Sequence, residues 1–305
     1  MANTSKYKQP TELWNKSEPT NDTNDAKHDG KTYTNGQQNI SSGEGKTNAL
    51  LKTQPWKILY QNIRCLVSDN SRSKIDYFRE LALENDILLI NLTETWLDEN
   101  VGEDAKIDGY KEYRSDRVGF KQGGTVIYAH NDLECEILAK ECKNKCEMIA
   151  VYIKALNTIN IVIYRPPKTK GDDFNCILDK VENIFDKMGI PNPTILMTGD
   201  FNFPFVEWKC NASGNFNGCT YDYNANVNAT LDEKRQFKRL TNLVSQYSLL
   251  QAINESTREE KGKSSTLDLI YTNEIDLITE IGIYILHVCQ TIILLRSPQI
   301  TTLIL

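Results

Sequence analysis

Apolar segments of two kinds recur between Trp56 and about residue 280. Apolar residues at helical spacing predict helices over residues 73–84, 172–188 and 232–247. Runs rich in apolar and β-branched residues predict buried strands, and they occupy residues 56–61, 86–92, 123–130, 147–153, 158–164, 193–198 and 265–271. The mixture of hairpin-like strand pairs and strand–helix units predicts an α/β fold with two sheets lying between helices.

The distribution of apolar residues divides the chain of 305 residues into three parts. Residues 1–54 contain long polar stretches and too few apolar residues to offset the entropy of ordering, so they are predicted to be a disordered tail. Residues 55–285 are predicted to form one domain. Residues 286–305 form an atypical apolar C-terminal tail. Its apolar run is too short and too often interrupted by polar residues for a membrane span, so no membrane contact is expected.

Charge and cysteine content narrow the class of protein. The formal net charge of −6 counts against a general nucleic-acid-binding surface, although a cation-binding cluster of carboxylates would add negative charge. The N-terminus lacks the apolar core of a signal peptide, so the eight cysteines predict reduced thiols in an intracellular protein. No Cys-x-x-Cys pair occurs, which argues against a zinc site. No protein partner can be inferred.

Polar side chains recur at or just beyond the ends of the predicted strands. Asp200 and Asn202 follow the strand at 193–198. Gly199 is expected to let the chain turn tightly at the end of this strand. A carboxylate and an amide at the carboxyl end of a buried strand are typical of α/β enzyme sites, although both residues are also good turn formers. Comparable positions are held by Asn62, Glu94, Tyr164 and Asp268.

The chemistry of this set predicts hydrolysis of a phosphodiester. Mg²⁺ needs a few protein oxygens and keeps waters and substrate phosphate in its other positions, so Glu94 would bind it with help from Asn62. Tyr164 and Asn202 would hold phosphate oxygens. Asp200 would orient or deprotonate the attacking water. Each side chain alone has a structural explanation, and the hypothesis therefore depends on the set.

Five motifs in order resemble those of the endonuclease/exonuclease/phosphatase superfamily, and more narrowly the apurinic-type endonuclease domain of non-LTR retrotransposons. They are Gln61-Asn62, Thr93-Glu94-Thr95-Trp96, Tyr164-Arg-Pro-Pro167, Gly199-Asp-Phe-Asn202 and Ser264-Ser-Thr-Leu-Asp268. The resemblance covers roughly residues 56–280. It implies a four-layer α/β sandwich, two mixed or antiparallel sheets flanked by helices, with the site at one edge of the paired sheets.

The resemblance also implies Mg²⁺ as cofactor, DNA as substrate and a nuclear location for an enzyme that acts on genomic DNA. It assigns a role to each of the six residues. These roles are metal binding for Asn62 and Glu94, phosphate contact for Tyr164, positions around the attacking water and scissile phosphate for Asp200 and Asn202, and orientation of a catalytic histidine for Asp268.

The chain departs from the family pattern at its end. The family closes with a Ser-Asp-His motif a few tens of residues after the position of Asp268, whereas here His287 follows Leu286. The other histidines are His28, in the polar tail, and His130, at the end of a predicted strand. Loss of such a preorganised group costs about a hundredfold or more in rate. We therefore expect a DNA-nicking endonuclease domain with impaired catalysis.

Two alternatives stay open at this point. The domain would be a catalytically inactive remnant that binds nucleic acid, or a phosphatase of the same superfamily that acts on a small phosphate ester. The motifs at 93–96 and 164–167, and Glu207-Trp208 after the Asp-Phe-Asn sequence, favour the retrotransposon branch over the phosphatases. A shifted reading frame or a wrongly joined exon explains the abrupt change of pattern near Ile283 better than a native ending does.

Overall fold

A computed structural model describes most of the predicted domain. The predicted tail over residues 1–54 lies outside the described residues, as do His28, His287 and most of the segment 286–305, so the domain boundaries stay predictions. The described residues are 56–68, 73–84, 87–117, 122–210, 218–225, 227–253, 255–260, 262–278, 280–284 and 292–297.

The described residues form sixteen strands and three α-helices, which confirms the predicted α/β class. The strands are β1 (Trp56–Asn62), β2 (Ile87–Thr93), β3 (Tyr110–Ser115), β4 (Thr125–His130), β5 (Cys135–Lys143), β6 (Cys146–Ile153), β7 (Thr158–Tyr164), β8 (Thr194–Asp200), β9 (Val206–Cys210), β10 (Cys219–Tyr223), β11 (Leu250–Gln251), β12 (Arg258–Glu260), β13 (Lys263–Ser265), β14 (Asp268–Thr272), β15 (Glu280–Tyr284) and β16 (Ile292–Ser297). The helices are α1 (Lys74–Glu84), α2 (Gly171–Lys187) and α3 (Leu231–Gln246). Short 3₁₀ turns occupy Gly102–Ala105, Lys154–Leu156 and Ile275–Leu277.

The strands form two six-stranded sheets and two separate hairpins. The first sheet has the order β15-β16-β1-β2-β4-β3, and the second has the order β11-β14-β8-β7-β6-β5. Each sheet is mixed, because β1 pairs with β2 and β7 pairs with β8 in parallel while the other pairs are antiparallel. The hairpins are β9–β10 and β12–β13.

Three apolar clusters define the layers. Between the sheets, Tyr60 and Ile127 of the first sheet pack in one cluster with Val162 of the second. Helix α1 covers the outer face of the first sheet, where Phe78 packs in a cluster with Ile90. Helices α2 and α3 cover the outer face of the second sheet. The predicted four-layer sandwich is therefore confirmed, with its apolar interior distributed over three interfaces.

The local sequence determines where helix α3 begins. Its N-cap Thr230 accepts a hydrogen bond from the Glu233 backbone at 3.1 Å, and the Glu233 carboxylate accepts one from the Thr230 backbone at 2.8 Å. This reciprocal capping box satisfies two backbone donors at the start of the helix. Phe237, Leu240 and Leu243 then recur at helical spacing and are buried against the second sheet. No helix in the described part of the chain is long and apolar enough to cross a membrane.

Two expectations from the sequence were wrong. Gly199 lies inside strand β8 rather than in a turn, and a Cβ there would overlap the carbonyl of Ile163 on β7. The glycine therefore permits the close approach of two strands. Cys219 is in a disulfide, which contradicts the prediction of reduced thiols, and Cys210 lies opposite Cys219 in the register of the β9–β10 hairpin. Cys146 is a free thiol, as predicted.

Candidate active site

A row of four polar side chains crosses the second sheet at one edge. Strand pairing places Glu147 of β6 opposite Tyr164 of β7, Tyr164 opposite Asp200 of β8, and Asp200 opposite Asp268 of β14. Register partners on neighbouring strands share a face of the sheet. All four residues are buried, with Glu147 fully so. The sequence-predicted residues Tyr164, Asp200 and Asp268 therefore lie side by side.

A matching polar row crosses the first sheet. Asn62 of β1 pairs with Thr93 of β2, Thr93 pairs with Thr125 of β4, and Thr125 pairs with Ser115 of β3. All four side chains are buried. The strand ends of both sheets thus contribute polar groups to the same edge of the sandwich.

Hydrogen bonds join the two rows. Asn62 Nδ2 donates to Asp200 Oδ2 at 2.7 Å and to Glu94 Oε1 at 2.9 Å. The Tyr60 hydroxyl donates to Asp268 Oδ1 at 2.9 Å. The same hydroxyl lies 3.1 Å from Thr93 Oγ1. Residues separated by up to 208 positions therefore meet in one hydrogen-bonded cluster between the sheets.

The loop after β2, residues 93–96, carries Glu94 in an unusual backbone conformation. Glu94 has φ of 54° and Trp96 has φ of 57°, in the left-handed region that non-glycine residues rarely adopt. The Trp96 backbone donates to the Gly123 carbonyl at 2.8 Å, and the Thr95 backbone donates to the Gly124 carbonyl at 3.3 Å. A Cβ at Gly124 would lie 2.6 Å from Thr95 Oγ1. Backbone strain held in place by its surroundings is a recurrent feature of functional loops.

The loop after β8, residues 200–202, is also held in a specific conformation. Asp200 Oδ1 accepts the backbone N–H of Asn202 at 3.1 Å, which closes a local turn. Asn202 has φ of 50°, and its Nδ2 donates to the Arg165 carbonyl at 2.8 Å. The Arg165 backbone in turn donates to the Asp200 carbonyl at 2.9 Å. The loop is thus tied to the residue that follows Tyr164.

The side chain of Arg165 supports this loop from inside the core. The residue is fully buried, and its Nη1 donates to the carbonyls of Phe201 and Asn202 at 3.0 Å each. Its Nε donates to Gln236 Oε1 on α3 at 2.8 Å, and its guanidinium lies 4.1 Å from the ring centroid of Phe203. Burial lowers the pKa of Arg165 to about 10, so the group stays charged at neutral pH. No role was predicted for Arg165 from the sequence.

The acidic side chains perturb one another because they share a buried volume. Burial, followed by the charges of Asp268 and Glu94, raises the pKa of Asp200 well above its usual range. Burial raises the pKa of Asp268 to about 6 against the lowering effect of its hydrogen bonds with Thr257 and Tyr60. Concentrated negative charge of this kind favours binding of a cation.

Tyr164 remains protonated in this environment. Burial, then the charges of Glu94 and Asp200, raise the pKa of the Tyr164 phenol. A protonated phenol is a hydrogen-bond donor, which suits contact with a phosphate oxygen.

The residues predicted to bind metal fit a hard cation. Asn62 Oδ1 is buried and has no hydrogen-bond partner among the described residues, while the Glu94 side chain is half-buried. In the part of the chain that the structure describes, no group of three or more His, Cys, Asp and Glu side chains is arranged to hold a metal ion by itself. Mg²⁺ does not need one, since it keeps several waters and uses one or two carboxylates plus substrate phosphate. A carboxylate and an unpartnered amide oxygen satisfy that requirement.

Several residues of the cluster were not predicted from the sequence. Thr257 Oγ1 accepts the backbone N–H groups of Leu267 and Asp268, at 3.0 and 3.1 Å, and so fixes the start of β14. Tyr60 holds Asp268, and Glu147 extends the polar row. A charged residue near the start of an otherwise apolar strand was a usable signal for Glu147, whereas nothing in the local sequence marked Thr257 or Tyr60.

His130 lies away from these residues. It ends strand β4, whose first residue, Thr125, belongs to the polar row, so the length of the strand separates the histidine from the site. Its ring packs edge-on against Tyr110 with centroids 5.4 Å apart, and its side chain is 37% exposed. His130 is therefore a partly exposed structural residue, as the sequence suggested.

Comparisons with known proteins agree with the fold. Residues 158–287 match the family model described as endonuclease–reverse transcriptase. A comparison with curated protein sequences finds no significant match. Among solved structures, the endonuclease domain of TRAS1, a telomere-specific non-LTR retrotransposon, is 13% identical with a TM-score of 0.53, and the match covers 80% of this chain and 99% of that chain.

Two further solved structures share the fold. An AP endonuclease from Archaeoglobus fulgidus is 15% identical with a TM-score of 0.53, over 80% of this chain and 99% of that chain. The 3′–5′ exonuclease NExo from Neisseria meningitidis is 14% identical with a TM-score of 0.54, over 79% of this chain and 99% of that chain. The chain therefore shares the fold of these nucleases, and its residues 158–287 are similar to the endonuclease–reverse transcriptase family. The fold is thus similar to that of the TRAS1 endonuclease domain.

Proposed function

We propose that this domain is a Mg²⁺-dependent endonuclease that nicks DNA, with catalysis impaired at its C-terminal end. The observation that carries the proposal is the joined cluster at one edge of the sandwich. Asn62 Nδ2 contacts both Glu94 and Asp200, and Asp200 lies in register with Tyr164 and Asp268. Carboxylates, an amide and a phenol in one place are the groups that in-line phosphodiester hydrolysis requires.

Glu94 and the Oδ1 atom of Asn62 would hold the cation. When bound, Mg²⁺ would neutralise part of the charge on the scissile phosphate and on the surrounding carboxylates. The buried carboxylate of Asp200 would accept a proton from the attacking water, since its raised pKa brings it nearer to neutral pH than an exposed aspartate.

Tyr164 and Asn202 would hold the phosphate. The Tyr164 phenol would donate a hydrogen bond to one phosphate oxygen. One amide hydrogen of Asn202 is used by the Arg165 carbonyl, which leaves the second to contact the substrate. Asp268 accepts its hydrogen bond from Tyr60, so in this chain the group that orients Asp268 is a tyrosine of the opposite sheet.

The impairment follows from the sequence at the C-terminus. Leu286 stands where the family has an aspartate before its histidine, and a preorganised group of that kind contributes about a hundredfold or more to the rate. A genomic DNA substrate would place the protein in the nucleus.

Relaxation of supercoiled plasmid by the purified chain tests this function. We expect slow conversion to nicked circles with Mg²⁺ and none with EDTA. Glu94→Ala and Asp200→Ala should each remove the activity, while Asp186→Ala, at the far end of α2, should not. Nicking that survives both site substitutions would refute the assigned site.

Two further assays, run beside plasmid nicking, separate the two alternatives. Release of inorganic phosphate from a small phosphate ester, without plasmid nicking, would identify a phosphatase. Binding of DNA without turnover, in a protein whose stability still responds to Mg²⁺, would identify a catalytically inactive remnant.

A further inference from the structure

We propose that Arg117 and Glu147 form a positioning pair that fixes the ring of Tyr164 for its contact with the phosphate. This inference rests on the proposed function, since it assigns the pair a purpose within the same site. Neither residue belongs to the five motifs found in the sequence.

Glu147 lies next to Tyr164 in the polar row of the second sheet. Glu147 is the second residue of strand β6 and the register partner of Tyr164 on β7, so it continues the row formed by Tyr164, Asp200 and Asp268. It is fully buried. A carboxylate without solvent is unfavourable unless it is paired, and a structure that only needed to fill this position would use an apolar residue.

Arg117 is held by two hydrogen bonds and lies over the ring of Tyr164. Its Nε donates to Glu147 Oε1, and its Nη2 donates to the Lys145 carbonyl at 2.7 Å. The guanidinium carbon lies 5.8 Å from the centroid of the Tyr164 ring, within the range of a cation–π contact. Arg117 is only 8% exposed. A planar cation anchored at two points therefore lies over one face of the ring.

Gly123 leaves the space that the Arg117 guanidinium occupies. Gly123 has φ of +91°, and a Cβ at this position would overlap the Arg117 guanidinium. The same Gly123 carbonyl accepts the backbone N–H of Trp96, two residues after Glu94. The glycine thus admits Arg117 and at the same time connects it to the loop that carries the candidate metal ligand.

These contacts bear on Tyr164, whose direction matters for its contact with the substrate. Glu94 lies close enough to Tyr164 for its charge to raise the pKa of the phenol, and the Tyr164 hydroxyl must be directed toward the phosphate position. Buried ion pairs contribute little net stability and are often replaced by apolar residues without loss. A pair of this kind is retained where it selects one arrangement of its neighbours, and here the neighbour is the phosphate-binding tyrosine.

The test combines a local spectroscopic measurement with kinetics. Full-length protein labelled with 3-fluorotyrosine gives a fluorine resonance for Tyr164, which Tyr164→Phe assigns. The variants are Arg117→Met, Arg117→Lys, and the double variant Arg117→Met/Glu147→Leu, which leaves no unpaired charge and keeps the test open if Arg117→Met fails to fold. The matched control is Arg114→Met, which breaks a nearby arginine–carboxylate pair with Asp116.

The proposal predicts a shifted or broadened Tyr164 resonance in the folded double variant and in Arg117→Met, a smaller change in Arg117→Lys, and none in Arg114→Met. In the nicking assay kcat should fall about tenfold to a hundredfold with KM little changed, because a misdirected contact group affects the transition state more than initial binding.

A folded double variant whose Tyr164 resonance matches that of the wild type would overturn the proposal. The resonance is measured without DNA, so this result is independent of whether the chain nicks. Absence of nicking by the wild type would count against the proposed function, while the resonance would still decide the role of the pair.

Discussion

The two loops that meet at the candidate site differ in how many of their buried polar atoms have hydrogen-bond partners within the protein. The 200–202 loop makes hydrogen bonds within itself and to Arg165, which supplies donors to two of its carbonyls. The 93–96 loop and the end of β1 hold buried polar atoms that have no hydrogen-bond partner among the described residues. These atoms are Gln61 Nε2 and Oε1, Asn62 Oδ1, Thr95 Oγ1 and Trp96 Nε1.

The protein therefore completes one part of the site by itself and leaves the other part open. Buried polar atoms are normally paired with protein, water or a ligand. The 200–202 loop is held by the buried cation of Arg165, and Nη2 is the guanidinium nitrogen that has no hydrogen-bond partner among the described residues. The loop that would bind the metal retains donors and acceptors for solvent and for a cation. We therefore expect substitutions in the first loop to affect folding and catalysis, and those in the second to affect chiefly the response to Mg²⁺.

The largest effect is expected from Arg165→Met. The substitution leaves the Phe201 and Asn202 carbonyls without their buried donor, which should lower the free energy of unfolding by about 3 kcal/mol, since each unsatisfied buried group costs about 1–3 kcal/mol. Urea denaturation measures the change. Arg239→Met is the control, because its ion pairs are partly exposed and should contribute less than about 1 kcal/mol. Equal losses in the two variants would contradict a supporting role for Arg165.

The second prediction concerns the response to Mg²⁺. A cation bound only by the folded state raises the free energy of unfolding by about 2.7 kcal/mol at one hundred times Kd. Thermal denaturation should show this gain in the wild type and not in Glu94→Gln. Without Mg²⁺, Glu94→Gln should be no less stable than the wild type, because it removes a charge that raises the pKa of Asp200. Full retention of the Mg²⁺ effect in Glu94→Gln would place the cation elsewhere.

The third prediction concerns pH in the presence of EDTA. Burial raises the pKa of Asp268 to about 6, so between about pH 4 and pH 6 the folded state binds more protons than the unfolded state. The contribution of Asp268 to stability is therefore present at low pH and is lost as pH rises through this window, by on the order of 2–3 kcal/mol. Denaturation series for the wild type and Asp268→Asn should converge at pH 4 and separate toward pH 7, with the wild type less stable. Parallel curves would show that Asp268 does not titrate in this way.

The smallest effect is expected from Thr95→Val. The Thr95 hydroxyl has no hydrogen-bond partner among the described residues, so its replacement by a methyl group should change stability by less than about 1 kcal/mol. Thr198→Val is the matched comparison, because Thr198 Oγ1 accepts a hydrogen bond from Asn91 between the sheets at 3.2 Å, and its loss should cost about 1 kcal/mol. A larger loss in Thr95→Val than in Thr198→Val would show that the 93–96 loop is as fully satisfied as the interior.

The sequence predicted the fold and the location of the six residues for a physical reason. Polar residues directly after apolar strands are forced to the edge of a sheet, so Asn62, Glu94 and Asp200 were expected to lie near one another. The contacts between them depend on which strands pair, and no local pattern encodes that. Tyr60 and Asp268 are one example, since they touch across the sandwich from positions 208 residues apart.

The residues that support the site were harder to recognise. Arg165 is fully buried, although its position between a tyrosine and two prolines suggested only the end of a strand. Gly199 was interpreted as a turn residue, because a close approach of β7 and β8 cannot be read without knowing that they pair. Arg117 depends on a space left by Gly123 and on a partner thirty positions away. Each of these roles is defined by tertiary contacts.

The most direct test of a single site is a double-substitution series in the plasmid-nicking assay with saturating Mg²⁺. Glu94→Ala and Asp200→Ala should each reduce the rate by at least about a hundredfold, and the double variant should be no slower than the worse single variant, because residues that act as one unit are not additive. Rates that multiply in the double variant, or nicking that persists in it, would contradict the account of one metal-dependent site at the joined edge of the two sheets.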